Sequence, residues 1–431
     1  MKPNLRDVGV FEEYLGFSRR LDDNLRRYVV ETTTYNFSTS ISSNLVNAMA
    51  MRFMGFGIFE LGLITSIRML SVTLGSLVAV PLVYRFRVYR LRLWLLFGAL
   101  NRVGWALSIF TVLLPPPVNL ISLLALIALV QVSGAIAGIA ATDTLADMIR
   151  PSFAGRFLGI LASLNNLVAL LALATTLFTF KALDATSAYW VLYLTALCFA
   201  LISTVALASL KDVKVAERSA STNLFDLILK YKDVALETPR TKRYIAVTTA
   251  FHFAVNVPAA FWDYYIMRVL GGDEFWITVK NATTLASKVL ALRLWCSIID
   301  SVGARRGTIV SIASTSPIPL LYYHSTDLAT VTGISVYSSL AWAPWDISAT
   351  LYTYYLAPEN KRPAFVSLQN ITYNAAATLA TAVGTWIGAH MGLYYVFIAS
   401  TVLRASIAII SAKLIPELDV KSEAPSPSKV S

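Results

Sequence analysis

Charged residues are scarce in this sequence of 431 residues. Only 14% of them are Asp, Glu, Lys or Arg, whereas 56% are hydrophobic. Soluble domains carry about 25% charged and about 45–50% apolar residues. A soluble chain of this composition could not cover its surface with polar groups, so the composition indicates an integral membrane protein.

Cysteine and histidine are also rare. The chain contains 2 cysteines, Cys198 and Cys296, and 3 histidines that are widely separated. These numbers exclude a disulfide framework and offer no spacing suited to a metal site, so we expect no metal and no cofactor. The sequence also lacks the G-x-x-x-x-G-K-[ST] loop that binds nucleotide phosphates, which argues against ATP hydrolysis as an energy source.

Long apolar stretches are what the sequence has in abundance. A helix of about 20 mostly apolar residues crosses a bilayer, and we predict twelve such spans. They cover residues 29–53, 59–84, 92–113, 118–143, 155–180, 186–210, 244–267, 276–299, 307–323, 327–350, 363–388 and 393–415. The first span is the weakest of them, because it is rich in Thr, Ser and Asn.

The basic residues predict the orientation of these spans. The loops that follow spans 2, 4, 6, 8 and 10 contain 18 Lys and Arg residues, whereas the six opposite loops contain only Lys181 and Arg268. Because basic loops stay in the cytoplasm, we place these five loops and both termini on the inner side of the cytoplasmic membrane. This topology accounts for the net charge of +11, so we expect no nucleic-acid partner.

The longest loop divides the chain into two similar parts. We predict a cytoplasmic N-terminal segment (1–27), a six-helix half (28–210), a cytoplasmic central loop (211–243), a second six-helix half (244–415) and a disordered cytoplasmic tail (416–431). The entries into spans 5 and 11, "RPSFAGRFLGILASLNN" and "PENKRPAFVSLQNITYN", each place Pro and a basic residue ahead of Ser and Asn. This correspondence favours an internal duplication.

The turn after span 8, "CSIIDSVGARRG", carries a charged motif. It resembles the signature G-x-x-x-D-R-x-G-R-R of the major facilitator superfamily of secondary transporters. The residues that match it are Asp300, Gly303, Arg305 and Arg306. The motif departs from the signature at Cys296 and Ser301, and the turn after span 2, "VPLVYRFRVYRLR", keeps only its basic character.

The resemblance extends over residues 28–415, including "ELGLITS" and "DTLADMIRPSFAGRFLGI". It implies an all-α integral membrane fold of twelve transmembrane helices in two pseudo-symmetric halves. It further implies that spans 1, 4, 7 and 10 surround a central cavity, and that the motif with Asp300 acts as a gate latch. Gly303 would permit the tight reversal of the chain, and the two Arg would anchor it on the inner side.

Polar residues in three of these four spans recur at helical spacing, which places each set on one helix face. The sets are Asn36, Ser40, Ser43 and Asn47 in span 1; Thr249, His252, Asn256 and Asp263 in span 7; and Ser335, Ser339, Trp342 and Asp346 in span 10. A stripe of this kind can face a wet cavity. The alternative is that Ser and Thr serve helix packing.

Charged residues within spans are costly unless they are paired or hydrated. Arg68, Arg102 and Lys288 are candidates to attract an anionic substrate, and Glu31, Asp263 and Asp346 are candidates to carry a coupling proton. The alternative for each is an ion pair that holds helices together. His252 is a polar packing residue or a proton relay, and Trp342 and Trp345 could stack on a sugar ring or on a cation.

We therefore expect a secondary active transporter that moves a small organic solute, an anion or a sugar-like compound, by alternating access. A proton gradient, another ion gradient or the substrate's own gradient would drive it. Efflux of hydrophobic compounds is the alternative. We expect no catalytic residues, because the loops are too short and too basic for a membrane-embedded enzyme. A non-transporting receptor of the same fold is a third class. We expect a monomer whose partners are the bilayer and the solute.

Overall fold

The computed structural model describes residues 22–149, 151–211, 238–356 and 362–417. Twelve helices of 12 or more residues occupy this part of the chain. They are α1 (Asp23–Phe53), α2 (Ile58–Arg85), α3 (Arg90–Leu107), α4 (Val118–Met148), α5 (Pro151–Ala182), α6 (Ala185–Ala208), α7 (Pro239–Asn256), α8 (Glu274–Val302), α9 (Ala304–Thr315), α10 (Leu328–Leu356), α11 (Arg362–His390) and α12 (Leu393–Leu414). Shorter helical segments follow α3 (Ser108–Leu113), α7 (Trp262–Val269) and α9 (Ile318–Tyr323).

Several helices extend beyond the predicted spans. Helix α1 begins at Asp23, after Asp22 caps it by accepting a hydrogen bond from the Leu25 amide. Helix α7 begins at Pro239, after Thr238 caps it in the same way, so the last residues of the predicted central loop are helical. Apolar composition predicts only the part of a helix that crosses the bilayer. The helix itself begins where a capping residue accepts hydrogen bonds from its first free amides, which can lie outside the bilayer. Residues 1–21, 212–237 and 418–431, which make up most of the predicted N-terminal segment (1–27), central loop (211–243) and tail (416–431), lie outside the described residues.

The prediction of one continuous helix over 244–267 is wrong. Helix α7 ends at Asn256, and a turn over 257–261 separates it from the segment Trp262–Val269. Pro258 causes the break, because it has no amide hydrogen to donate to the carbonyl of Ala254. The Ser400 hydroxyl of α12 donates to that carbonyl at 2.7 Å instead.

The fully buried Arg404 of α12 stabilises two such breaks. Its guanidinium donates to the carbonyl of Thr315 at 2.9 Å and to the carbonyl of Val255 at 3.3 Å. The Thr315 carbonyl lacks a helical partner because residue 319, four positions later, is a proline. Arg404 therefore hydrogen-bonds to backbone carbonyls that the prolines in spans 7 and 9 leave free.

The helices form two halves, α1–α6 and α7–α12, each with its own hydrophobic core. The most extensive contacts between the halves are made by two helix pairs, α2 with α11 and α5 with α8. In the first pair Gly62 faces the Thr385 side chain, and the Ser66 and Thr381 hydroxyls are 3.0 Å apart. We call these two pairs the seams and the space between the halves the cleft.

Seven helices in the described part of the chain are long and apolar enough to cross a membrane by length and composition. They are α2, α3 with its continuation, α4, α5, α6, α8 and α12. Among the remaining five, α1 carries a polar stripe, and α7 and α9 are interrupted at prolines. Three of the four predicted cavity helices, α1, α7 and α10, are in this more polar group.

Candidate functional site: a polar cleft between two halves

The two ends of the bundle differ in how the halves meet. We call the end at which α1 begins and α6 ends the basic end; Asn24 and Lys211 are hydrogen-bonded there at 3.0 Å. At the other end, which we call the opposite end, Arg52 of α1 forms an ion pair with Glu274 of α8, with one N···O distance of 2.8 Å. The Tyr189 hydroxyl donates to the same carboxylate at 3.1 Å. The halves are therefore bound to each other at the opposite end.

At the basic end, the turn after α2 is held by helix α4 of its own half. Arg90 is fully buried and lies 2.7 Å from both the Asp143 and the Asp147 carboxylates. Arg87 contacts Asp143 at 3.3 Å. In the sequence, this turn keeps the basic residues of the signature but not its Asp. In the structure, two acids from "DTLAD" at the end of α4 contact these basic residues.

The corresponding turn after α8 is bound to α12. Gly303 has φ +84°, a conformation that favours glycine, and it lies between the end of α8 and the start of α9. Arg305 donates to the carbonyls of Ala412 and Ile415 at 2.7 and 2.8 Å. Arg306 is exposed, as is Asp300, which forms no ion pair or hydrogen bond with any described side chain.

A pocket of about 290 Å³, most of whose lining residues are polar, lies where α1 and α5 of the first half meet α8 of the second. Its lining residues are Ser40, Asn44, Ala169, Leu173, Asn281, Thr284, Leu285 and Lys288. Of the predicted cavity residues, Ser40 and Lys288 are therefore brought together across the boundary between the halves. We call this space the central pocket.

An ion pair borders the central pocket. The Lys288 ammonium lies 2.8 Å from the Asp346 carboxylate of α10, and the two side chains are 42% and 34% exposed. Sequence reasoning chose both residues but assigned them to different roles. Since each neutralises the other, the pair adds no net charge to the pocket wall.

Asparagines on the helices beside the cleft use one amide N–H within their own helix. Asn36, Asn44 and Asn256 donate to the carbonyls four residues earlier at 2.9, 2.7 and 2.7 Å. Each retains its side-chain carbonyl oxygen and a second N–H. Thr284 likewise donates to the Lys280 carbonyl at 2.8 Å and keeps its acceptor capacity. Of these residues, Asn44 and Thr284 line the central pocket, so its wall offers both donors and acceptors.

Arg102 and Glu31 lie inside the first half rather than in the central pocket. Their side chains are 2.7 Å apart and only 4% and 3% exposed. Ser203 of α6 accepts a hydrogen bond from Arg102 at 3.0 Å, and Arg102 lies 5.0 Å from the centre of the Tyr35 ring. This arrangement is the helix-to-helix ion pair that the sequence left open as an alternative.

Two further charged candidates also lie away from the central pocket. Asp263 follows the break in α7 and forms an ion pair with Lys280 at 2.7 Å. Arg68 of α2 lies over the buried Trp105 ring of the first half, 5.2 Å from its centre. These positions correspond to helix contacts near the opposite end and within the first half.

The aromatic candidates pack among α7, α10 and α11. The His252 ring stacks on Tyr373 with their centres 3.9 Å apart and lies 5.7 Å from Trp345. Trp345 is only 6% exposed and packs on Phe251. Trp342 is partly buried and also contacts Phe251. Trp345 is thus a core residue of the second half.

Sequence reasoning missed the contribution of α8 beyond Lys288. Asn281, Thr284 and Lys288 follow one another at spacings of three and four residues, which places them on one helix face. That stripe was visible in the sequence. On α10, by contrast, Ser335 and Ser339 are buried and Ser339 donates to the Thr284 carbonyl at 2.9 Å, which is helix packing.

No family model and no curated protein matches this sequence. Solved structures do match the fold. A mutant of the nucleoside transporter NupG is 10% identical, over 91% of this chain and 100% of that chain, with a TM-score of 0.70. The inward open xylose transporter XylE from E. coli is 13% identical, over 94% and 97% of the two chains, with a TM-score of 0.68. An auto-inhibited peptide transporter of the POT family is 11% identical, over 94% and 99%, with a TM-score of 0.69.

XylE is described as a proton:xylose symporter of the major facilitator superfamily. Identities this low show the fold alone. This chain has the fold of these transporters, so the predicted all-α, multi-pass membrane architecture in two six-helix halves is confirmed.

Proposed function

We propose that this chain is a secondary active transporter that carries a small polar solute across the cytoplasmic membrane by alternating access. The observation that carries the proposal is the central pocket, which is lined by residues of both halves. It lies on the basic-end side of the Arg52–Glu274 ion pair, which joins the halves at the opposite end. A solute held by both halves can be exposed to either side when the halves rock about it. The transporters of the same fold support this mechanism.

We further propose a neutral, hydroxyl-rich solute of the sugar or nucleoside type. A hydroxyl group both donates and accepts, which suits walls that keep free amide N–H groups and free carbonyl and hydroxyl oxygens. An organic anion is less well matched, because Lys288 and Arg102 each have a carboxylate partner. The xylose and nucleoside transporters with this fold agree with that choice.

The experiment is solute counterflow in proteoliposomes that contain the full chain. We expect labelled sugars or nucleosides to exchange, and carboxylates and hydrophobic drugs not to exchange. Exchange of carboxylates alone would contradict the substrate class. Export of hydrophobic compounds alone would favour the efflux alternative, and no flux with any solute in the panel would contradict transport itself.

Asp346 is our candidate for proton coupling, since it combines partial exposure with a place beside the central pocket. We predict that Asp346→Asn abolishes proton-driven uptake, because an amide cannot bind the coupling proton, while exchange of solute persists. Asp263→Asn is the matched control, and it should leave coupling intact. If coupling survives Asp346→Asn, the assignment of proton coupling to Asp346 is wrong.

A further inference from the structure

A second, larger groove lies between α7 and α11. Its volume is about 760 Å³, and its walls are mainly apolar. The apolar side chains that form it are Ile245, Ala246, Ala250, Phe253, Ala375, Ala376 and Leu379. The alanines leave a depression between the larger side chains of Ile245, Phe253 and Leu379.

The side chains of α11 indicate that the groove opens towards lipid and away from the seam. Leu379, Val383 and Trp386 follow one face of α11 at helical spacing and are 63%, 43% and 59% exposed. Large apolar groups of this exposure are stable against lipid. Thr381, on another face of α11, contacts Ser66 across the seam, so the groove opens away from the joined halves.

The groove has the length of one leaflet. Lys242 and Phe253 at its two extremes are 11 residues apart in α7, which corresponds to about 16 Å at ~1.5 Å per residue. Half of a hydrocarbon core of about 30 Å is about 15 Å. Lys242 is exposed near the start of α7, and it is the one basic residue among the described residues that line the groove. It lies at the basic end, where the predicted orientation places the lipid headgroups.

We propose that this groove binds an anionic phospholipid of the cytoplasmic leaflet. An acyl chain would lie against the alanines and Phe253, and the phosphate would contact Lys242, whose long side chain can reach the interface. Basic residues at the cytoplasmic surface attract acidic headgroups. The proposal uses the predicted orientation and does not depend on transport.

The headgroup contact is tested by titrating the full chain in detergent with phosphatidylglycerol or phosphatidylcholine of equal chain length, followed by native mass spectrometry. We expect Lys242→Gln to weaken phosphatidylglycerol binding about fivefold, the factor for one basic residue at a membrane surface, and to leave phosphatidylcholine unchanged. Arg293→Gln, which removes an exposed charge from α8, is the matched control. Equal effects of the two variants would overturn the headgroup assignment.

The acyl-chain contact is tested by filling the groove. Ala250 is exposed on α7, so Ala250→Trp should fold and should lower the affinity for both lipids. Leu290→Trp, at a position 67% exposed on α8, is the control and should have no effect. If the two tryptophan variants bind both lipids as the wild type does, the groove is not the lipid site.

Discussion

Three buried arginines in the described part of the chain are satisfied by two kinds of partner, carboxylates and backbone carbonyls. Arg102 pairs with a carboxylate in its own half, and Arg404 hydrogen-bonds to backbone carbonyls at two helix breaks. Arg90 is enclosed by two acids at a helix end. An intramembrane charge is costly unless satisfied, and Arg102 was singled out from the sequence on that ground. The sequence does not predict whether a buried arginine binds a carboxylate or a backbone carbonyl.

The Glu31–Arg102 pair provides a test at this scale. Glu31→Gln would leave Arg102 buried without its carboxylate, and breaking one partner of a buried pair costs about 3–5 kcal/mol. We predict a marked fall in the thermal unfolding temperature of the purified protein, with proton coupling retained in the molecules that remain folded. The double variant Glu31→Gln and Arg102→Gln should recover part of the loss. A Glu31→Gln protein of normal stability but without coupling would contradict this role.

The site residues could be predicted singly but not as pairs. Lys288 and Asp346 were both identified from their charge in apolar segments. Their contact, however, joins two residues that are 58 positions apart in the chain and lie on different helices. The spacing of residues within one helix does not show how a neighbouring helix is rotated about its own axis, and so does not show which side chains meet. Trp345 shows the same limit, since a stripe at helical spacing does not reveal which face meets the core.

Helices are the scale at which the sequence was most informative. Apolar stretches and the internal repeat together predicted all twelve helices, whereas seven of them are long and apolar enough to be recognised by length and composition. Of the other five, α1, α7, α10 and α11 contain more polar groups, and α9 has only 12 residues. The break in α7 was also within reach, since Pro258 stands in the middle of the predicted span. It was missed because prolines are tolerated in membrane helices whose freed carbonyls find other donors, as Ser400 provides here.

Close approach of α2 and α11 depends on a missing side chain. A Cβ atom at Gly62 would lie 2.0 Å from the Thr385 hydroxyl oxygen of the other half. Gly62→Val should therefore keep the halves apart at the opposite end. Gly138→Val on α4 is the matched control, because a Cβ atom there meets no heavy atom within 4 Å.

The readout is labelling of a cysteine placed at Asn44 by a membrane-impermeant maleimide added from outside. The exposed native residues Cys198 and Cys296 would first be replaced by Ser. We predict faster labelling in Gly62→Val and no change in Gly138→Val. Unchanged labelling in both would show that the α2–α11 contact does not control access.

At the scale of the whole molecule, the two halves are alike in fold and unlike at the basic end. The first-half turn is bound to α4 through Arg90, whereas the second-half turn leaves Asp300 exposed. The halves are joined at the opposite end by Arg52 and Glu274. In the alternating-access proposal, a contact made by Asp300 would belong to the other state, in which the basic end is closed.

Asp300→Asn tests that idea. Removing the carboxylate would weaken a contact present only when the basic end is closed, so we predict a shift towards the state seen here, closed at the opposite end. Labelling of the cysteine at position 44 from outside should slow, while the solute affinity of each state is unchanged. Asp23→Asn removes another exposed acid at the same end and should have no effect. Since a ligand or residue shifts a two-state equilibrium only through its differential interaction with the states, equal labelling in both variants would exclude Asp300 as a latch.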